Sequence, residues 1–157
     1  DAYLPVPDKN IRFVVEKILM NYPKLEKKVK VVLGSKKIKV RAALMSSGTM
    51  SLSCAVAGIP GAIGYRAHPI TYLIGRLLVK VPHLGMANIL LSSDPPYPEF
   101  LQSSANGKNL NESLVRILND HEARAKAEAN ALKIIQSIRG PKEKNAKEWL
   151  NQEISLC

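Results

Sequence analysis

The sequence predicts an α/β fold, a partial doubly wound parallel sheet followed by a helical C-terminal tail. Three observations predict it. Short apolar runs alternate with stretches whose apolar residues recur at helical spacing. Glycine, proline and polar turns separate the two kinds. After about residue 107 only the helical period remains. Strands that alternate with helices pair in parallel, because each return crosses over the sheet. The expected division is a sheet-bearing domain over 1–107 and a helical tail over 108–157.

Each element has its own signal. Tyr3-Leu4-Pro5-Val6 is short and apolar, a first strand. Asp8 can cap the next helix by accepting from free backbone N–H groups. Ile11, Val14, Val15, Ile18 and Leu19 then share one helical face, and Asn21-Tyr22-Pro23 ends the run. Val29 to Leu33 is a strand closed by Gly34, and Ala42 to Met45 a second, buried strand. Met50 to Ala57 is helical up to Gly58 and Pro60, and Ala62 to Tyr65 is the next strand. Ile70 to Val79 is a largely apolar helix stopped by Val81-Pro82. Asn88 to Leu91 is a short strand or loop reaching the core, and Pro95 to Pro98 a rigid connector. Pro98 opens a short helix that places Glu99 and Gln102 three residues apart on one side. Asn109–Asn119, Glu122–Ile138 and Lys142–Ile154 complete the chain, the last two parted by Gly140-Pro141.

Composition bounds the function. The 157 residues suffice for a sizeable core, and 46% hydrophobic with 23% charged residues excludes a disordered chain. Aromatics are 5%, so aliphatic side chains must fill that core, with Met20, Met45, Met50 and Met86 among the filler. Cys54 and Cys157 cannot make a disulfide framework and suit a reducing compartment. No apolar run approaches the roughly 20 residues of a membrane span. The net charge of +10 points to a polyanionic partner: phosphate esters, nucleic acid or an anionic membrane surface. Lys24, Lys27, Lys28 and Lys30 lie before and at the start of one strand, and Lys36, Lys37 and Lys39 follow it. The same lysines also read as a solvated face.

The residues with chemical potential sit where apolar runs end. Ser47-Gly48-Thr49 follows a strand and opens a helix, where free N–H groups favour phosphate and glycine permits close approach. The same turn also serves as a plain helix cap. Tyr65 and Arg66 close the next strand on the same rim, and the guanidinium can grip a diphosphate with two prongs. Arg76 and Lys80 lie one helical turn apart. Asn88 stands among apolar neighbours, so its amide either pins a loop or reads a ligand. Glu99 suits a sugar hydroxyl pair. His68, His83 and His121 read as structural hydrogen-bonders. No His or Cys pair has metal-ligand spacing, so no metal and no cofactor is expected. There is no GxSxG elbow, Walker loop or GxGxxG.

Taken in order, Ser47-Gly48-Thr49, Tyr65-Arg66 with Pro69, Arg76 to Lys80, Asn88-Ile89-Leu90 and Pro98-Glu99-Phe100-Leu101-Gln102 resemble the C-terminal half of the lipid-A-disaccharide synthase family. The resemblance covers about Leu4 to Gln102. It implies one Rossmann-like half of a two-domain, GT-B, inverting glycosyltransferase. That enzyme moves a diacylglucosamine from its UDP donor to an acceptor lipid monosaccharide phosphate and releases UDP. By motif position, Ser47, Gly48 and Thr49 would face the diphosphate. Tyr65 and Arg66 would form part of the cleft, and Asn88, Glu99 and Gln102 would line the donor pocket. Two positions depart from the family's pattern. Ser53 stands where it usually has glutamate, and Ser92-Ser93-Asp94-Pro95 stands where it continues Ala-Gly-Arg.

The resemblance further implies that the sequence begins at the second strand of the donor domain. The catalytic residues would belong to an N-terminal domain, so these residues alone are expected to show little transferase activity. It also implies a homodimer and a cytoplasmic enzyme peripheral to the inner membrane. The charge by itself supports a different class, a non-catalytic basic α/β module binding nucleic acid or an anionic membrane. Nucleic acid is the weaker of those partners, because Lys and Arg are not interleaved with exposed aromatics.

Overall fold

A computed structural model describes residues 2–34, 38–46, 48–68 and 82–139. The helices expected over Ile70–Val79 and Lys142–Ile154, and the Gly140-Pro141 break, lie outside those residues. The chain divides into two compact units, Asp1–Lys39 and Val40–Cys157.

In the first unit, β1 (Ala2–Val6) pairs in parallel with β2 (Val29–Leu33), Ala2 opposite Val29 and Val6 opposite Leu33. The crossover between them holds α1 (Lys9–Leu19) and a one-turn α2 (Pro23–Glu26). Asp8 caps α1 as expected, its carboxylate accepting from the amides of Asn10 at 2.7 Å and Ile11 at 2.9 Å. α2 was not foreseen; Pro23 at its first turn suits a helix start, because no N–H is needed there. The five apolar residues that share one face of α1 are unequally covered. Only Leu19 is buried, whereas Ile11, Val14 and Ile18 are exposed.

In the second unit, β3 (Ala43–Met45), β4 (Gly61–Tyr65) and β5 (Glu99–Leu101) form a parallel sheet with β4 central. Met45 lies opposite Ile63, Ile63 opposite Glu99, and Tyr65 opposite Leu101. The parallel α/β expectation therefore holds, with the strands in two sheets. α3 (Thr49–Val56) crosses from β3 to β4. α4 (Met86–Leu90), α5 (Gly107–Asn119) and α6 (Ala123–Arg139) follow. Met45, Ala55, Ile63, Ala87, Tyr97 and Ile134 form the core. Ile63 and Ile134 are sealed completely, each worth about 2–3 kcal/mol of burial. α6 thus reaches the same core as β4, and Leu110 of α5 lies against Gly64.

Four local expectations are corrected. The segment holding Asn88 is the helix α4, neither strand nor loop. Glu99 belongs to β5 and Gln102 to a following 3-10 turn (Gln102–Ser104), so no helix carries them both. The ladder decides it, because the Ile63 amide donates to the Pro98 carbonyl at 2.9 Å and draws this segment into the sheet. In β3, Leu44 is exposed, and of the four methionines read as filler, Met20, Met50 and Met86 are exposed.

Candidate functional site

The parallel register puts the ends of β3, β4 and β5 on one rim of the second unit, and the candidate residues fall into two groups there. The first group gathers around two glycines. Gly48 precedes α3 with φ +97° and ψ −147°. That region is open essentially to glycine alone. Gly48 bridges in parallel to Gly85, the residue before α4. The starts of two helices are therefore held side by side. Ser51, fully buried, donates its hydroxyl to the Gly48 carbonyl at 2.8 Å and fixes the first turn of α3.

Beneath Gly85 lies a closed polar network. Glu99 accepts from the Leu84 amide at 3.0 Å and the Gly85 amide at 3.0 Å. The same carboxylate accepts from Asn88 Nδ2 at 2.8 Å. Asn88 Nδ2 also donates to the Tyr97 carbonyl at 2.8 Å, and Asn88 Oδ1 accepts from the Tyr97 amide at 3.0 Å. Every polar atom of the Asn88 amide is thus engaged within the protein. From a neighbouring strand Glu99 thus holds the entry to α4, taking the amide of its N-cap residue Gly85 and the one before it. His83 Nδ1 stands 4.0 Å from the same carboxylate oxygen. The space at Gly85 is full: a Cβ there would collide with Ile63 Cδ1 and come within 3.2 Å of Glu99 Oε1.

The second group sits at the end of β4. Gln102 adopts φ +50° and reads the backbone of Ala67 from both sides. Its Oε1 accepts from the Ala67 amide at 2.8 Å, and its Nε2 donates to the Ala67 carbonyl at 3.1 Å. Ala67 is the residue after Arg66, so this pair of bonds holds the segment that presents Tyr65, half-buried, and Arg66, exposed. Thr49 is exposed at the first turn of α3, and Ser53 spends its hydroxyl on the Thr49 carbonyl at 3.0 Å. Ser47, Pro69 and Arg76 to Lys80 lie outside the described residues.

Gly48, Asn88 and Glu99 are thus brought together through Gly85, and Arg66 and Gln102 through Ala67. Sequence reasoning did not find Ser51, Gly85 or Tyr97. A glycine set directly before the apolar run around Asn88 was the available signal for Gly85. Tyr97 donates its hydroxyl to the Ile59 carbonyl at 2.8 Å, which ties the connector before β5 to the start of β4. Burial pushes the Tyr97 phenol far above its ordinary range, with Cys54 adding to the shift, and burial also raises the Cys54 thiol.

The sequence matches the family model for lipid-A-disaccharide synthetase over residues 4–154. A lipid-A-disaccharide synthase of Aquifex aeolicus is 46% identical over 65 residues, 41% of this chain and 18% of that protein. A probable mitochondrial lipid-A-disaccharide synthase of Arabidopsis thaliana is 40% identical over 98 residues, 62% of this chain and 21% of that protein. The synthase of Sodalis glossinidius is 36% identical over 102 residues, 65% of this chain and 26% of that protein. The chain therefore matches only about a fifth to a quarter of the length of these relatives. No solved structure matches it.

Proposed function

The chain belongs to the lipid-A-disaccharide synthetase family, and from that premise we propose that it is the donor-binding part of an inverting glycosyltransferase. The reaction transfers a diacylglucosamine from UDP to a lipid monosaccharide phosphate. The task of this part is to bind the nucleotide and stabilise the departing UDP. Fixed N–H dipoles and positive charge offset charge that develops on the leaving diphosphate. The observation that carries the reading is the Gly48–Gly85 bridge, which sets two helix starts together at the sheet's rim.

In this reading Ser47, Gly48 and Thr49 face the diphosphate and Arg66 supplies the cation beside it. Tyr65 walls the cleft. Asn88, Glu99 and Gln102 line the pocket from behind and act by positioning, since their polar atoms hold the loops that carry Gly85 and Arg66. The catalytic groups and the acceptor site belong to other parts of the enzyme. The enzyme works as a homodimer on the cytoplasmic side of the inner membrane, in peripheral contact with anionic lipid. No helix among the described residues is long and apolar enough to cross a membrane.

Thermal unfolding of this polypeptide with and without UDP tests the proposal. A ligand at about a hundred times its dissociation constant stabilises the folded state by about 2.7 kcal/mol. UDP should raise the melting temperature, and Gly48→Ala should remove most of that gain, since a side chain at this φ is strained and moves the turn. An unchanged melting temperature, with steeply salt-dependent retention on DNA, would replace this reading by the basic binding module.

A further inference from the structure

The first unit carries large apolar side chains on its outside. At 100° per residue, Met20 at the C-cap, Phe13, Lys17, Asn10, Val14 and Ile18 follow one another around a single outward arc of α1. Phe13 is 68% exposed, Met20 66% and Ile18 53%. Tyr22 and Leu25 continue the exposed apolar surface into α2. The same stretch of sequence is also the more basic part of the chain. Residues 1–39 hold ten Lys and Arg against four Asp and Glu, so +6 of the chain's +10 falls in a quarter of its length. Lys17 stands within the arc, and Lys24, Lys27 and Lys28 are exposed on the turns that follow.

This combination discriminates between occupants. The core of a protein–protein contact is depleted in lysine. A bilayer surface favours the reverse, with apolar side chains at the acyl boundary and lysine stems reaching out to anionic headgroups. We propose that the α1–α2 surface docks on an anionic lipid bilayer, with Phe13, Met20 and Ile18 at the acyl boundary and Lys17, Lys24 and Lys27 among the headgroups. The proposal rests on the peripheral membrane contact put forward above and names the surface that makes it.

Co-sedimentation of the 157-residue chain with lipid vesicles tests it. The vesicles are about one-third phosphatidylglycerol in phosphatidylcholine, set against pure phosphatidylcholine. Binding should require the anionic lipid and weaken with salt. Lys17→Gln should weaken it about fivefold, and Phe13→Ser by about tenfold or more. Lys126→Gln on α6, also exposed, should leave it unchanged. Circular dichroism verifies folding, and Lys17→Gln alone decides if Phe13→Ser unfolds the unit.

Failure to bind the anionic vesicles, or equal binding by all variants, overturns the proposal. So does a dimer in light scattering that Phe13→Ser dissociates, because a second copy then covers the arc. Binding to DNA that falls with Lys17→Gln and ignores Phe13→Ser, with no vesicle binding, overturns it in favour of nucleic acid. The UDP melting experiment separates the two readings. UDP stabilisation without vesicle binding removes the surface alone, and vesicle binding without UDP stabilisation removes the donor site and leaves the surface standing.

Discussion

Asn88 shows how one buried amide can tie a helix to a neighbouring strand and to the connector before it. It is 1% exposed and joins α4 to the backbone of Tyr97 and to Glu99. Asn88→Asp keeps the shape but removes both donated bonds and sets a second carboxylate against Glu99. The expected loss is about 3 kcal/mol at neutral pH, read from urea unfolding. That loss should shrink on acidification, because protonating the introduced carboxyl restores a donor toward Glu99. A penalty independent of pH would mean that the introduced carboxylate and Glu99 do not face each other in the variant. Tyr97 gives the opposite pH limb. Its phenol and the Cys54 thiol are both raised in the folded state, so the unfolded chain gives up their protons first. Stability is fully present below the ordinary values of 9.0 and 10.0 and falls as pH climbs past them. Tyr97→Phe should flatten that alkaline fall while lowering neutral stability by about 1 kcal/mol, through the lost bond to Ile59. Melting curves of both proteins across the alkaline range check this.

At the scale of elements, the sequence was most legible where local chemistry and periodicity agree. Asp8 with the apolar period of α1, and Gly34 after the β2 run, mark their elements by residue type alone. The segments around Asn88 and Glu99 were misread because long-range bonds decide them. α4 is one short turn and a half whose N-cap residue, Gly85, donates its amide to a carboxylate from β5, fourteen residues on. β5 is three residues long and exists because β4 offers it a ladder. No local period reports either fact. Of the candidate residues, Gly48, Asn88 and Glu99 are joined through Gly85, and Asn88 pins a loop, one of the two readings its apolar neighbours left open. The backbone-holding bonds of Glu99 and Gln102 had no local signal, because their partners lie 14 and 35 residues away. Gly85→Ala examines this linkage. The added methyl must push on Ile63, which is sealed in the core, so a loss of about 1–3 kcal/mol is expected. UDP stabilisation should fall as well, because the loop is levered away from Gly48. A Gly85→Ala protein with normal stability would show that the α4 start has room to retreat.

At the scale of the molecule, the two units are unequal. Among the described residues, Val6 and Leu19 are the buried hydrophobic side chains of the first unit, while the second holds nine more. A two-stranded sheet with so little sealed apolar area is marginal by itself. The three-stranded sheet of the second unit is backed by α3 and α5, and α6 packs on α3 and α4. Hydrogen exchange should therefore be graded along the chain. Amides of β1 and β2 should exchange through openings of much lower free energy than those of β4, whose amides lie at the centre of the sheet. Anionic vesicles should slow exchange in α1, where Phe13 and Met20 would become covered, and UDP should slow it around Gly48 and Gly85. On the two proposals, ligand and lipid address different units, and each should protect its own. Uniform protection across both sheets, with one shared opening energy, would show that the chain unfolds as a single cooperative body and that Asp1–Lys39 draws its stability from the larger unit.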